Sequence, residues 1–547
     1  MSITKTIAKG SAWMILSAFI VKFVGFIYYI ILARTVSQEE IGMFFLVLSV
    51  ISIVLIFSNL GLCSESVKRY VSFYAKKERF NYVRKVLKIS LSAGTIFSII
   101  CIAFIMLFTG SLSNFFHNPA LAPIFYILAS YLLIHNFYTV ATSFLIGRKL
   151  IKFVSYIQSF QEIFKVILTV ILLFIIGFKA ESIAFGFLLS FLFAALIGWY
   201  WALKEYRKLP ESNETADSFL LLKEMVPFGL TLVLISSMSL INAYTDRIML
   251  GYFLPPETSA SMIGVYTIAV AFSMVITMFG KAIGTIFFPL ITELWAKKNI
   301  TEINKITTTV IRWLSLVTIP VLLAILVFSK QILTIIYGQD YAVGYIALLL
   351  YSIRLFIFLF SLPSQYVLSA MKRLDVTRKI IAVGATINVI LNFIFIPENG
   401  VLAPYGIFGI NGAALASAIS LIIMAILFLK QSKITRVQIP KDIYKPIIAG
   451  LVTISLLFFF KPYMSEILRT LIPGLIQPTD IISEIIEKLL KIVVLGILVS
   501  TAFLIYLIFL IQLKAFHKED VEILSGAMRR LKLPKKWILF IERVLLR

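Results

Sequence analysis

The stretch IGMFFLVLSVISIVLIFSNLGL, Ile41 to Leu62, holds no charged side chain, and its length decides the fold. A bilayer core takes about 20 apolar residues as a helix but only about 10 as a barrel strand, and lipid offers no hydrogen bonds to stray backbone. The run is therefore a spanning helix, and the rest of the chain repeats it. Of 547 residues 60% are hydrophobic and 14% charged, with a mean hydropathy of +0.98, far more apolar surface than a soluble globule uses. The expected fold is an all-α polytopic membrane protein of about fourteen transmembrane helices.

Apolar stretches place spans near Ser11–Arg34, Ile41–Val67, Val86–Gly110, Leu121–Leu145, Phe153–Gly177 and Ile183–Leu203. After a polar stretch come Val226–Leu250, Ile263–Pro289, Thr307–Phe328, Tyr341–Ala370, Arg378–Pro397 and Ile407–Lys430, then a last pair near Tyr444–Phe460 and Ile485–Ile511. Loop charge tests this order, because one miscounted helix would scramble the alternation of basic and non-basic connections. Even-numbered loops are basic, from Lys68, Arg69, Lys76, Lys77 and Arg79 to Lys433, Arg436, Lys441 and Lys445; odd-numbered ones hold little beyond Lys179, Lys330, Lys461 and Arg469. The alternation puts both termini of a multi-pass membrane protein in the cytoplasm. It also accounts for the formal charge of +24 without a nucleic-acid partner. Met1 to Lys9 precede a span that holds Lys22 and lacks a small-residue cleavage site, as an uncleaved helix does.

Ile41-Gly42-Met43-Phe44 recurs as Ile263-Gly264-Val265-Tyr266, and Leu145–Phe153 corresponds to Leu368–Val376, an internal repeat at an offset of about 222 residues. An even number of helices per repeat starts both halves on the same side, so two pseudo-symmetric six-helix lobes lie in parallel, related by an axis along the membrane normal. The expected division is residues 1–203 as the N-lobe, 204–224 as a cytoplasmic linker, 225–430 as the C-lobe, 431–511 as two accessory helices and 512–547 as a basic amphipathic tail.

A charge at mid-bilayer costs on the order of 3 kcal/mol or more, so an ionisable side chain there faces protein or water. Lys22, Lys165, Lys281 and Arg354 lie well inside their spans and are candidates for a cationic, substrate-binding cavity. Glu162 stands three residues before Lys165, on the same helix face; with Gln158, Gln161 and Thr169 the two form a polar stripe expected to face a cavity. They serve as cavity lining or as a mutually neutralising structural pair. Asp246 and Arg247, near the outer end of span seven, point about 100° apart and should not bridge each other, which suits gating or coupling. Asn388 and Asn392 share one face of span eleven, open to helix packing or ligand contact. His135, between Tyr131 and Tyr138 in span four, reads as a proton relay or a hydrogen-bonded packing residue. Cys63 and Cys101 match no metal or disulfide spacing. No Walker loop, HExxH or GxSxG is present, so neither ATP hydrolysis nor peptide cleavage has residues to perform it; a transporter, not an enzyme, is expected.

The segment Asp246-Arg247-Ile248-Met249-Leu250-Gly251-Tyr252-Phe253, followed by Ile263-Gly264-Val265-Tyr266, resembles the span seven to eight signature of Wzx-type polysaccharide flippases, in the MATE-related MOP exporter superfamily. Phe288-Pro289, Ile336-Tyr337-Gly338 with Tyr341, Ile387-Asn388 with Leu391-Asn392, Ile396-Pro397 and Gly409 with Gly412-Ala413-Ala414 stand in that family's order. The resemblance implies a V-shaped, MurJ-like pair of lobes around a central cavity and transfer of undecaprenyl- or dolichyl-phosphate-linked sugars by alternating access. It implies as partners the lipid-linked oligosaccharide, membrane lipids and a polysaccharide polymerase or glycosyltransferases. Lys22, Lys165, Lys281 and Arg354 fit a pyrophosphate-holding cavity by charge and depth. No cofactor is expected beyond a coupling ion, H+ or Na+, for which Glu162, Asp246 and His135 are candidates. The alternatives are a cation or drug antiporter, which needs deep unpaired carboxylates, a lipid II-type flippase, and a non-transporting scaffold for glycosyltransferases.

The sequons at Asn213 and Asn299 fall in basic loops assigned to the cytoplasm. Expressed in a cell that glycosylates lumenal sequons, the chain should migrate identically with and without glycosidase; a shift traced to either asparagine would invert the topology.

Overall fold

The computed structural model describes residues 3–210, 217–432, 441–475 and 481–518, with scattered positions between 520 and 544. In order the helices are α1 Ile3–Thr35, α2 Gln38–Asn59, α3 Glu65–Lys76, α4 Phe80–Phe115, α5 Leu121–Ala129, α6 Tyr131–Gly147, α7 Ile151–Ile176, α8 Ala180–Arg207 and α9 Ser218–Phe253. They continue as α10 Pro256–Ser273, α11 Thr277–Ala296, α12 Ile300–Ile332, α13 Tyr345–Ala370, α14 Leu374–Phe395, α15 Gly409–Ser432, α16 Tyr444–Leu475 and α17 Ile481–Gln512. Among the described residues there is no strand, and 13 helical stretches are long and apolar enough to cross a membrane. The shorter apolar stretch Tyr444–Phe459 opens α16, where the thirteenth span was expected.

Three breaks refine the expected spans. Span two stops at Asn59, short of the expected Val67, because Leu60 and Gly61 adopt left-handed φ values of 44° and 70°. A side chain at Gly61 would also lie 2.4 Å from the Gly229 carbonyl oxygen, so this turn requires glycine twice over. The chain then re-enters as α3, a helix that buries Ser66, Val67, Tyr70, Val71 and Tyr74 on one face. Span four is divided at Ser130 into α5 and α6, and span eight runs through a 3-10 turn, Met274–Ile276, between α10 and α11.

The chain folds as two compact units, one made of 1–272 with 375–424, the other of 273–374 with 425–547. In the first, α3 is tied to the start of α9: Tyr70 donates to the Glu224 carbonyl at 2.9 Å and Tyr74 to its carboxylate at 3.2 Å. Burial and, after it, the Glu224 carboxylate push the Tyr74 phenol up to about 12, so it stays a donor at any physiological pH. Leu62, Cys63, Val67, Val83, Val86, Ala141 and Phe144 form the core beneath it.

The internal repeat has a direct physical expression in this unit. A Cβ on Gly42 would lie 1.7 Å from the Ala260 carbonyl oxygen, and one on Gly264 would lie 2.1 Å from that of Gln38. Positions 38 and 260, like 42 and 264, are repeat mates, so α2 and α10 meet about a local pseudo-two-fold axis, as the two sides of an isologous interface do. Small residues let the backbones approach where lipid gives no hydrophobic drive to association, and Ser261 donates to the Gln38 side chain at 3.0 Å across the same contact.

In the second unit, Phe287, Ile291, Val310, Leu314 and Val367 form a core of α11, α12 and α13. The segment after α17 is anchored on α12. Buried Arg312 donates to Asp520 at 2.6 Å, Trp313 donates to the same carboxylate oxygen at 2.6 Å, and Arg312 also donates to His517 Nδ1 at 2.7 Å. Since arginine has no acceptor, His517 carries its proton on Nε2, which faces Asp442 at 2.7 Å. Most of the tail's apolar positions, Trp537, Ile538, Phe540, Ile541 and Leu545, lie outside the described residues.

Gly264→Ala and Gly42→Ala each place a methyl group inside a backbone contact and should destabilise by about 1–3 kcal/mol. Gly110, where an added methyl group would meet nothing within 4 Å, is the control: in detergent, thermal midpoints should fall for the first two and not for Gly110→Ala.

Candidate functional site

Asp246 sits seven residues before the end of α9 and is 3% exposed. Its two oxygens receive four donors. Asn388 and Asn392, one turn apart on α14, donate to Oδ1 at 3.2 and 2.8 Å. Tyr266 of α10 and Ser417 of α15 donate to Oδ2, both at 2.6 Å. All four donors are buried, and all are neutral. A buried carboxylate without a cation is costly, and hydrogen bonds to its charged form are what offset that cost. Arg247 turns elsewhere, donating to Thr267 at 3.0 Å with its guanidinium 5.6 Å from the Phe45 ring. The separation of Asp246 from Arg247, and the shared face of Asn388 and Asn392, are as expected; the carboxylate on which both asparagines converge was not legible from spacing.

Glu162 and Lys165 form an ion pair on α7, with side chains 12% and 13% exposed. Gly25 of α1 makes room for the carboxylate, which approaches to 3.1 Å of where a Cβ would stand. The ammonium also lies 4.6 Å from the Tyr28 ring centre. The rest of the stripe departs from expectation. Gln161 donates to Ser190 of α8 at 3.2 Å, Thr169 is fully buried against Gly186 of α8, and Gln158 is exposed. Gln161 and Thr169 each pack against a small partner on α8.

Lys22 is half-buried on α1 in the same unit. Arg354 belongs to the other unit, where it is 6% exposed on α13 with its guanidinium 4.3 Å from the Tyr351 ring centre. Lys281 lies in α11, its side chain outside the described residues.

His135 lines a cavity of about 320 Å³ in the first unit, with Tyr131 beside it on α6, Ser52 and Asn59 on α2, Ser64 and Glu65 at the turn into α3, and Tyr244 on α9. Its ring stands 5.2 Å from Tyr131 and 5.9 Å from Phe191, and Nδ1 is 3.4 Å from the Thr139 hydroxyl. Tyr244 and Asn59 were missed from the sequence; a tyrosine or an asparagine in an apolar span is too common to stand out.

The family described as "Polysaccharide biosynthesis protein" matches residues 7–295, more than half of the chain. The chain belongs to that family. A second family, MatE, matches residues 227–394, which include Asp246, Asn388 and Asn392. An uncharacterized membrane protein of Methanocaldococcus jannaschii is 21% identical over 436 residues, 78% of this chain and 83% of that one. A Haloferax volcanii protein named "Probable low-salt glycan biosynthesis flippase Agl15" is 26% identical over 191 residues, 34% of this chain and 36% of its own. Among solved structures, the lipid II flippase MurJ in an inward closed conformation shares the fold with a TM-score of 0.65 at 18% identity, covering 90% of this chain and 97% of that one. An inward-facing MATE family multidrug transporter of the MOP superfamily gives 0.60 at 14% identity, covering 76% and 94%. The family and the fold are those of a membrane transporter rather than an enzyme.

Removing one neutral donor leaves a buried carboxylate under-satisfied, at a cost of about 1–3 kcal/mol. Ser417→Ala and Asn392→Leu should each lower the thermal midpoint, and pairing either with Asp246→Asn should recover part of the loss; additive losses would mean that the donors do not serve the charge.

Proposed function

We propose that the chain is a flippase that moves an anionic, polyprenyl-phosphate-linked oligosaccharide across the plasma membrane by alternating access. The observation that carries this is the family match over residues 7–295; the glycan flippase name of the Haloferax volcanii relative supports it. Spontaneous flipping is slow because phosphate and glycan must cross hydrocarbon, and a wet cationic path removes that desolvation cost while the lipid tail stays outside. Lys22 in the first unit, and Lys281 and Arg354 in the second, are each proposed as a cation that meets the phosphate during transfer. Lys165 acts with Glu162 as a neutral pair. The basic loops support a cytoplasmic position for both termini.

Asp246 is the proposed coupling residue. Its protonation, or binding of a cation such as Na+, would change the charge against which four donors from three other helices are aligned, and so bias the packing of α9 against α10, α14 and α15. Its burial without a paired cation among the described residues, together with the MatE match, also supports a second reading, antiport of a cationic solute.

In proteoliposomes loaded with a fluorescent dolichyl-pyrophosphate-linked glycan, Lys22→Ala and Arg354→Ala should each cut transfer by about ten-fold or more, the scale of a lost charge-assisted contact, with Lys22→Arg largely restoring it. Wild-type transfer in both alanine variants would reject the phosphate assignment, and proton- or sodium-driven efflux of an organic cation without glycolipid transfer would favour antiport.

A further inference from the structure

The cavity beside His135 is unlike a phosphate site. Its walls are Leu55, Ile56, Leu232, Val233 and Leu240, with the aromatic rings of Tyr131, His135 and Tyr244 and the polar groups of Ser52, Asn59 and Ser64. Among the described residues no lysine or arginine lines it, and the one charged group is the carboxylate of Glu65, which is paired with Lys68. Apolar walls with a few convergent polar groups mark a small-molecule site, and about 320 Å³ is at the low end of such sites, room for one ring and not for a chain of them. The polar groups can still bond. Asn59 Oδ1 accepts from the Cys63 N–H at 3.2 Å, which leaves its Nδ2 as donor; the Ser52 hydroxyl donates to the Leu48 carbonyl at 2.6 Å, which leaves its oxygen as acceptor.

We propose that this cavity holds one neutral sugar ring of the transported glycan. Aromatic faces take the ring's C–H surface and Asn59 and Ser52 take its hydroxyls, while the described walls offer a phosphate no cation. The cavity runs from the turn at Ser64–Glu65 to Tyr131 and His135 in α6 and Tyr244 in α9. With the basic loop after α2 in the cytoplasm, a sugar would enter from the side on which the lipid-linked glycan is assembled. Recognition of the sugar is thus separated from recognition of the phosphate, and the first selects among glycans while the second anchors the carrier. The assignment rests on the flippase function proposed above.

The test uses the full-length protein in proteoliposomes, with fluorescent dolichyl-pyrophosphate-linked N-acetylglucosamine as the transported probe and sugar-free dolichyl pyrophosphate as competitor. Asn59→Leu and Tyr244→Leu should each lose about ten-fold or more in transfer, the penalty for unpairing a polar recognition group, while the competitor concentration that halves the remaining transfer stays within about two-fold of wild type. Tyr244→Phe, which keeps the ring and a well-filled core, should retain most of the transfer. Transfer near wild type in both leucine variants overturns the sugar site and leaves the flippase standing, as does a weakening of the competitor in parallel with transfer, or a Tyr244→Phe loss equal to that of Tyr244→Leu. A wild-type protein that moves no glycolipid overturns both.

Discussion

Hydrocarbon provides no hydrogen-bond partner for backbone or side chain, and nearly every feature of this chain follows from that. It makes the spanning elements helices, and it confines helix breaks to places where protein takes over the bonding. Leu60 caps α2 by donating back to the Ile56 carbonyl, and Gly61 then lets the turn press against the backbone of α9. The same constraint governs buried charge. Lys165 lies beside Glu162, and Arg312 binds Asp520; breaking such a pair would leave a buried ion uncompensated, at a cost of about 3–5 kcal/mol.

Asp246 meets the constraint differently. Its charge is spread over four neutral donors on three other helices, and among the described residues no cation is paired with it. A paired ion ties two side chains together, whereas this carboxylate draws on three other helices. That difference, more than the presence of a carboxylate, is why α9, α10, α14 and α15 share one polar centre.

The spans, their order and the repeat were legible because each is written in one dimension: the length of apolar runs, the alternation of basic loops, and a motif returning at a fixed offset. The repeat was more informative than a fold assignment alone, since Gly42 and Gly264 turn out to be the residues at which its two copies touch. The Glu162–Lys165 pair was legible for the same reason, its geometry being set by the pitch of a single helix. α3 was not, because a 12-residue helix rich in lysine and arginine looks like a loop until its buried face has a neighbour. The polar stripe on α7 was legible as a stripe, but whether it met water or Ser190 and Gly186 depended on α8.

Sequence by itself therefore determined that the chain spans a membrane many times as helices, that its two halves repeat, and which ionisable side chains fall within its apolar spans. Only the tertiary structure decided their partners: that Asn388, Asn392, Tyr266 and Ser417 converge on Asp246, that His517 and Asp520 reach back to Arg312, and that Tyr131, His135 and Tyr244 enclose a space whose described walls hold no cation. The physical reason is that burial is set by local composition along the chain, while the partner of a buried polar group is whichever distant helix packs against it.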